Sequence, residues 1–527
     1  MPAADLVVQG AQVRTLDPAR PRAEGFAVLH GRFVAVGDAR EAAAWRGPRT
    51  RVLDLAGRTV VPGFIDAHLH VLASGIRHVL GVDCSAGSVA EIQAALRARA
   101  RETPSGEWIW GVLFDDTKIR EQRMLTRDDL DAVSAAHPIF VSHRGFHSHM
   151  CNSQALQAAG VREDAGPPAG ERWGRDPDTG RLDGVIHSRA QRIRDELLPK
   201  PTPSQRREGL ARISRMLHAA GITSVHDAIV SAEDLATYQQ ARRDGDLTLR
   251  VAALLWHEHT EALASCGVRA GFGDEWLRLG GMKLVADGAI AGRTAWLTEP
   301  YVGTDDRGIC AMDPRELADR VALIHRAGLR PCVHANGDAA IRVTLDAFER
   351  ALAARPDPDA RLRVEHCTVV DDRIVARLKR LGCVVTPFCT YVYHHGDKMR
   401  FYGPRRLERM FAMRSFLDAG VPATGASDYM PGPFEPLLGI QSCVTRTDAE
   451  GRTWGPSQRI TVDEALAAYT RHGAYASFEE RDKGAIEPGK LADFAVLAAD
   501  PGAVDPSEIK DIPVDLTVVG GRVVHGE

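Results

Sequence analysis

The segment Asp66-Ala67-His68-Leu69-His70 follows the apolar run Thr59-Val60-Val61-Pro62-Gly63-Phe64-Ile65. Side chains alternate along a β-strand, so His68 and His70 are expected on the same face of one strand. Neutral imidazole is a common ligand of zinc and similar metals, and a strand would hold two such ligands rigidly. A lone His-x-His pair is weak evidence for a metal site, so other parts of the chain must supply further ligands.

The middle of the chain alternates apolar strand candidates with helix candidates, which is typical of a parallel sheet with helical crossovers. Eight strand candidates can be counted, and eight is the number that closes a (β/α)₈ barrel. They are residues 60–65, 221–225, 250–256, 281–286, 330–333, 361–365, 383–387 and 421–425. We therefore predict an α/β protein built on a TIM barrel.

The two ends of the chain resemble each other. Residues 5–13 and 515–523 share the pattern D-L-x-V-x-G-x-x-V, which predicts two strands around a glycine turn at each end. We predict one small β-sandwich formed from residues 1–61 and 485–527, flanking a barrel domain at residues 62–484. Two unrelated β edges are the alternative.

The first two strand candidates are separated by about 150 residues, whereas a barrel repeat ordinarily uses about 30. We therefore predict an insertion after barrel strand 1, at approximately residues 78–205. Loops at that end of a barrel surround the active site, so the insertion is interpreted as a lid. An outward decoration is the alternative.

The bulk composition narrows the class of protein. The chain has 527 residues, of which 44% are hydrophobic and 26% charged, with a formal net charge of -4, so neither nucleic acid nor an anionic membrane is expected as a partner. The nine cysteines are scattered and fit a reducing compartment. With no evident signal peptide and no apolar run of about 18 residues, we predict a cytoplasmic protein. A homodimer is left open.

Further polar residues fall at the carboxyl ends of later strand candidates, where barrel enzymes place their active sites. Lys283 lies on the fourth candidate, His334 ends the fifth, His366 ends the sixth and Asp428 follows the eighth. Any one of these could be an ordinary core or capping residue. Their convergence with the His-x-His pair on one mouth of a barrel indicates a metal-dependent site.

With these residues in place, the chain resembles the amidohydrolase superfamily, and within it the branch (amidohydrolase family 3) that includes N-substituted formamide deformylases. The likeness extends over nearly the whole chain, including the insertion with His149, Asn152 and Ala155-Leu156. The resemblance implies one metal ion on His68, His70 and Asp428, a second on His334 and His366, and Lys283 bridging the two as a carbamate. Zinc is expected, as one or two ions, with manganese or iron as alternatives.

Each implied role has a chemical reason. Burial lowers the pKa of a lysine, and a neutral amine can capture carbon dioxide to become an anionic ligand. The alternative is that Lys283 forms a salt bridge with Asp287 or stabilises substrate charge. Asp428 is expected to act as general base on water, with His366 stabilising the developing oxyanion. A strand-end cap is the alternative for Asp428.

Several further residues are predicted with more modest roles. His143 and His147 in the insertion are candidates for substrate contact, and Trp296 and Tyr391 for apolar pocket walls, with ordinary packing as the alternative. His226 is expected to orient a metal ligand, and Asp338 to do so for His334. A second His-x-His pair, His257 and His259, is expected to line the pocket or lie on the surface.

Taken with the resemblance, these residues predict a hydrolase that cleaves the C–N bond of a small non-peptide amide, of the formamide or cyclic amide type. The same metal site would also serve a lactone or ester hydrolase, because activated water attacks either carbonyl. A barrel that binds a ligand without catalysis is the alternative of a different class.

Overall fold

The computed structural model describes residues 2–144, 148–167, 172–187 and 193–526. The chain divides into two compact units. The first comprises Met1–Val71 and Ser214–Glu527, and the second comprises Leu72–Ile213. In the described part of the chain, none of the helices combines the length and the apolar character needed to cross a membrane.

The first unit contains a parallel sheet whose strands follow one another in chain order. Barrel strands 1 to 7 are Phe64–Leu69, Ile222–Val230, Arg250–Trp256, Leu277–Val285, Pro331–Ala335, Arg363–His366 and Val384–Thr386. Residues 423–426, here called segment 8, close the cylinder from both sides. The backbone N of Thr424 donates to the O of Val385 at 3.0 Å, and the N of Ala67 donates to the O of Gly425 at 3.0 Å. The predicted TIM barrel is confirmed, with parallel bridges instead of a regular strand at the eighth position.

Helices connect the barrel strands along the chain. The α-helices of six or more residues that lie wholly within the first unit are Ala232–Asp244, Thr260–Ser265, Pro314–Arg326, Asp338–Ala354, Asp372–Arg380, Met413–Asp418, Pro436–Thr445 and Val462–Ala467. Residues typical of helix termini mark the ends of these helices. Asp313 accepts hydrogen bonds from the backbone N of Arg315 and Glu316, and Pro314 occupies the first turn, where it needs no donor.

A β-sandwich in the first unit is built from both chain termini, as predicted. One sheet has the order Arg32–Gly37, Gly25–Leu29, Leu6–Gln9 and Arg51–Asp54. The other has the order Arg522–His525, Val514–Val519, Phe494–Leu497, Thr59–Pro62, Gln12–Arg14 and Arg22–Ala23. Phe26 packs edge-on against Phe33 and Phe494, with ring centroids 5.1 and 5.0 Å away, so residues from both termini share one core.

The second unit coincides with most of the long interval between barrel strands 1 and 2. Its sheet has the order Arg172–Arg175, Leu182–His187, Ser148–Cys151, Ile139–His143, Ile109–Phe114 and Val82–Asp83. Its helices include Val89–Glu102, Arg127–Asp131 and Ser153–Ala158. A buried cluster of apolar side chains gives this unit a core of its own, and its interpretation as a lid stays a prediction.

Candidate metal centre

The two histidines of the His-x-His pair lie at the carboxyl end of barrel strand 1. Nδ1 of His68 donates to Oε2 of Glu365, and Nδ1 of His70 donates to the backbone O of Ala228 at 2.9 Å. Because a carboxylate and a carbonyl can only accept, these contacts place the proton of each neutral ring on Nδ1. Nε2 of each ring therefore keeps a lone pair for a metal.

Asp428 follows segment 8 and brings a carboxylate to the same place. Its Oδ1 lies 3.7 Å from Nε2 of His68 and 3.4 Å from Nε2 of His70. Its backbone N donates to the O of His68 at 2.8 Å, which fixes the two elements against each other. Ligand atoms of these three residues lie within 4.8 Å of one another, so a single cation could contact all of them.

Lys283 reaches this group from barrel strand 4. Its side chain is buried, and its Nζ lies 3.1 Å from Nε2 of His68. The salt bridge with Asp287, which the sequence left open, is not formed. The Asp287 carboxylate accepts instead from the backbone N of Trp296, Asn336 and Gly337. Burial lowers the pKa of Lys283, against the opposing effect of Glu365, so the amine is biased towards its neutral form.

His366 and His334 complete the group. The ring centroid of His366 lies 4.8 Å from that of His68 and 4.5 Å from that of His334. Nε2 of His334 donates to the backbone O of Gly288 at 3.0 Å, which leaves its Nδ1 with a lone pair. The structure therefore brings all six predicted ligand residues to the carboxyl end of the barrel.

Burial sets the charge state of these imidazoles. It lowers the pKa of His68 to about 4 and that of His334 to about 3, and it holds the pKa of His366 well below the ordinary value. All three rings are therefore neutral near pH 7, the form that binds metals. Burial acts in the opposite sense on Asp428, but the adjacent imidazoles of His70, His366 and His68 lower its pKa, so it is a carboxylate.

The backbone is strained at two of these positions. His366 has φ 66° and Asp428 has φ 52°, both in the left-handed region that non-glycine residues seldom adopt. Such conformations cost free energy and are concentrated at functional sites, where the surrounding structure holds them. Both residues lie where a barrel strand or segment ends. The strained backbone therefore orients their side chains at the mouth of the barrel.

A buried ion pair, not predicted from the sequence, supports the centre. Arg363 donates from Nε to Oε1 of Glu365 at 2.7 Å and from Nη2 to Oε2 at 2.9 Å. Both side chains are fully buried, and Thr386 Oγ1 adds a hydrogen bond to Oε2 at 2.7 Å. The signal was present in Arg363-Val364-Glu365-His366, since two charged residues share one face of an otherwise apolar strand.

His226 was expected to orient a metal ligand, and the structure corrects that expectation. Its Nδ1 accepts a hydrogen bond from Nη1 of Arg363 at 2.8 Å. It therefore reaches His68 only through Arg363 and Glu365. Burial, followed by the charge of Arg363, holds the pKa of His226 well below its ordinary value, which keeps the ring a neutral acceptor.

The expectation that Asp338 orients His334 is wrong. Asp338 starts a helix and accepts hydrogen bonds from the backbone N of Thr298, at 3.0 Å, and from its Oγ1. The carboxylate nearest to His334 is that of Asp287, whose Oδ1 lies 3.6 Å from Nε2. Asp287 directly follows barrel strand 4, and that position was the available signal.

The remaining predicted contacts have mixed outcomes. Trp296 is half-buried next to the centre, its backbone N bonded to Asp287. Tyr391 is 3% exposed and stacks on Phe411 with ring centroids 4.8 Å apart, which favours the core alternative. His143 belongs to the second unit, and its Nε2 lies 3.0 Å from Oδ1 of Asp116. His147 lies outside the described residues.

The second His-x-His pair takes no part in a candidate metal group. Within the described residues, the groups with metal-ligand spacing are His68, His70 and Asp428, and, in the second unit, Asp115, Asp116 and His143. His257 and His259 form a short 3₁₀ helix after barrel strand 3, with His257 buried and His259 partly exposed. Their role as pocket-lining or surface residues stays a prediction.

Comparison with known proteins agrees with this geometry. A family model described as the amidohydrolase family matches residues 51–525. The chain belongs to the amidohydrolase family. It is 30% identical to the N-substituted formamide deformylase of Arthrobacter pascens, over 98% of this chain and 97% of that protein. It is 26% identical to the protein LONG AFTER FAR-RED 3 of Arabidopsis thaliana, over 99% and 92% of the two chains.

A solved structure shares the fold over nearly its whole length. It is that of an uncharacterized metal-dependent hydrolase from Pyrococcus furiosus, which aligns with a TM-score of 0.75 and 25% identity over 94% of this chain and 99% of that one. This member of the amidohydrolase family is therefore an enzyme, a metal-dependent hydrolase of the class that acts on C–N bonds.

The residues present fit a metal ion. His68, His70 and His334 each have one ring nitrogen committed as a donor, which leaves the other as an acceptor. A carboxylate lies beside the first two, and burial lowers the pKa of His68, which favours its neutral imidazole. Neutral nitrogen ligands with one carboxylate are a donor set that suits zinc and other divalent transition metals.

Proposed function

We propose that this enzyme hydrolyses the C–N bond of a small non-peptide amide, of the formamide or cyclic amide type, with Asp428 as general base. The observation that carries the proposal is the position of the Asp428 carboxylate, 3.4 and 3.7 Å from two imidazole nitrogens that are free to bind a metal. The relative from Arthrobacter pascens, an N-substituted formamide deformylase by name, supports the choice of amide over ester.

The proposed ligand set follows the contacts of the site. His68, His70 and Asp428 would hold one ion, and His334 and His366 a second, with zinc as the metal. Lys283 would lie between the two as a carbamate, since its buried amine has a lowered pKa and adjoins Nε2 of His68. When bound, zinc supplies Lewis acidity, which makes water a nucleophile at neutral pH and polarises a carbonyl oxygen.

Asp428 moves the proton in this scheme. Its carboxylate is ionised and acceptor-only, so it can take one proton from the attacking water as the water oxygen bonds to the carbonyl carbon. The C–N bond then breaks, and Asp428 returns that proton to the leaving nitrogen. The products are a carboxylic acid, which is formic acid for a formamide, and an amine, and the Asp428 carboxylate is regenerated.

Glu365 orients the proposed metal ligand His68 relative to the proposed base Asp428. Because it accepts the Nδ1 proton of His68, Nε2 of that ring keeps its lone pair, 3.7 Å from Oδ1 of Asp428. Arg363 holds Glu365 through two hydrogen bonds, so the carboxylate stays ionised despite its burial.

Turnover on matched substrates tests the proposal. Zinc-loaded protein would be offered N-substituted formamides and cyclic amides beside the corresponding formate esters and lactones, with amine, alcohol and acid release measured. We expect a higher kcat/KM on the amide of each pair. Turnover of esters and lactones alone would favour the second hydrolase. No turnover on either series, with or without added zinc, would favour a binding barrel.

A further inference from the structure

Ile229 has an unusual backbone conformation for an isoleucine. Its φ is 61°, in the left-handed region that β-branched residues rarely occupy. The register between barrel strands 2 and 3 shifts between Ala228 and Val230, so Ile229 is the extra residue of a β-bulge. Bulges are over-represented next to active sites, where they redirect a side chain or a carbonyl.

The bulge directly adjoins the candidate metal centre. The backbone O of Ala228, the residue before Ile229, accepts the hydrogen bond from Nδ1 of His70 at 2.9 Å. Ile229 directly follows Ala228, and consecutive Cα atoms are about 3.8 Å apart. Ile229 therefore lies one residue from the carbonyl that orients the proposed metal ligand His70. Asp227, two residues earlier, accepts from the hydroxyl of Tyr238 on the following helix, so its side chain points away from the barrel interior.

The bulge also changes which side chains are covered. Ala228 and Val230 are 3% and 1% exposed, whereas Ile229 between them is 41% exposed. In a regular strand Ile229 would share the outward face of Asp227 and pack beneath the helix. The extra residue instead leaves Val230 buried and leaves Ile229 uncovered at the carboxyl end of strand 2. The side chains of His70 and Asp428 are accessible at that same end, at 23% and 18%.

We propose that Ile229 determines specificity in this enzyme, because its side chain forms an apolar contact for the nitrogen substituent of the amide. The inference rests on the proposed function and deepens it. A glycine would adopt the bulge conformation without strain, so the backbone alone does not require isoleucine here. Left-handed strain and an exposed apolar side chain coincide at the mouth of the site, where strain is stored for function.

Two variants separate the side chain from the backbone. Ile229→Asn introduces a residue that tolerates the left-handed region but lacks the apolar surface of isoleucine. Ile229→Gly removes the side chain altogether. Phe272→Ala is the matched control, because Phe272 is 68% exposed but precedes barrel strand 4 and so lies at the amino end of the barrel. The probes are N-methylformamide and N-cyclohexylformamide.

Binding of both probes to zinc-loaded protein is measured by calorimetry, together with kcat/KM. We expect the wild type to bind the cyclohexyl probe at least about tenfold more tightly, a preference that Ile229→Asn and Ile229→Gly largely lose and Phe272→Ala keeps. Zinc content is expected to equal that of the wild type in all three variants, with Tm within about 3 °C.

Failure of the specificity role can be distinguished from failure of the proposed amide hydrolysis. Equal binding of the two probes by the wild type, an unchanged preference in both variants, or loss of zinc from Ile229→Asn would overturn the specificity role. A binding preference that follows residue 229 without any turnover would support that role and would overturn amide hydrolysis instead.

Discussion

Nζ of Lys283 lies 3.1 Å from Nε2 of His68, and both side chains are buried. The Nδ1 proton of His68 is committed to Glu365, so Nε2 is the acceptor that the lysine faces. A metal on Nε2 would compete with the amine for the same lone pair. Carbamylation, as proposed for Lys283, would resolve the competition, because it would replace N–H donors at the end of the lysine with oxygen ligands.

Lys283→Ala should therefore lower the zinc content of the purified protein from two ions towards one or none. Turnover should fall at least about 100-fold, since removal of a group bound to a catalytic metal affects metal affinity and orientation together. Added short carboxylates such as acetate or propionate should restore part of both. Metal content is read by elemental analysis, alongside amide turnover.

Lys379→Ala is the control for that substitution. Lys379 is exposed and donates to the backbone O of Gly420 at 3.1 Å, on a helix outside the metal centre. Its zinc content and turnover should match the wild type. Unchanged zinc content in Lys283→Ala would contradict the bridging role.

Glu365→Gln tests the buried pair beneath the metal centre. The change leaves Arg363 buried without a counter-charge, which should lower the free energy of unfolding by about 3 kcal/mol or more. It also weakens the acceptor for His68, so zinc affinity should fall about 10- to 100-fold. Urea unfolding of the apoprotein and zinc titration measure the two effects separately.

An exposed ion pair provides the comparison. Nη2 of Arg350 lies 3.1 Å from Oδ1 of Asp319, with side chains 61% and 69% exposed. Arg350→Ala should cost less than about 1 kcal/mol, because water screens such pairs. If Glu365→Gln is as mild as Arg350→Ala, the buried pair does not stabilise the centre as described.

The sequence predicted the barrel and its six converging ligand candidates because both predictions depend on patterns within short segments of the chain. Strand periodicity places His68 and His70 on one face, and barrel topology places residues such as Asp428 at the same end. These inferences need no knowledge of which distant side chains touch. These inferences could therefore be made from the sequence alone.

Contacts between distant residues were not available in that way. The sequence places His226 at the end of a strand and Asp338 near His334, whereas the structure pairs His226 with Arg363 and leaves Asp287 beside His334. The left-handed backbone at Ile229 and Asp428 was likewise not predicted. Neither residue type carries a glycine-like signal for that conformation.

Asp428→Asn should abolish most turnover while sparing the fold. The amide cannot take a proton from water, so kcat should fall about 10²- to 10⁴-fold, the range for loss of a general base. Its oxygen can still accept, so Tm should change little and zinc should largely remain bound. Amide turnover, elemental analysis and thermal unfolding are measured on the same preparation.

Asp338→Asn is the matched control, since Asp338 contacts Thr298 and no proposed ligand. Its turnover should stay within about twofold of the wild type, as for most surface substitutions away from a site. Wild-type turnover in Asp428→Asn would remove Asp428 from the role of base. A large loss in Asp338→Asn would restore the rejected link between Asp338 and His334.

His218 should make the first unit sensitive to acid, independently of the metal centre. The ring is buried, with Nδ1 donating to the backbone O of Ile222 at 3.0 Å and Nε2 lying 2.9 Å from Oγ1 of Thr248. Burial lowers the pKa of His218 to about 4 from its ordinary 6.5. The folded state thus binds this proton less readily than the unfolded state, so the stabilisation is present above pH 6.5 and is lost as the pH falls towards 4.

Between pH 7 and pH 5 the contribution of His218 should fall by about 2 kcal/mol. His218→Asn keeps a donor for Ile222 but cannot be protonated in this range, so it should be less stable than the wild type at pH 7 and lose less on acidification. Urea unfolding of the two apoproteins at both pH values measures the difference, and the use of apoprotein removes any effect of zinc release. Equal losses in the two proteins would show that His218 is not an acid-sensitive group.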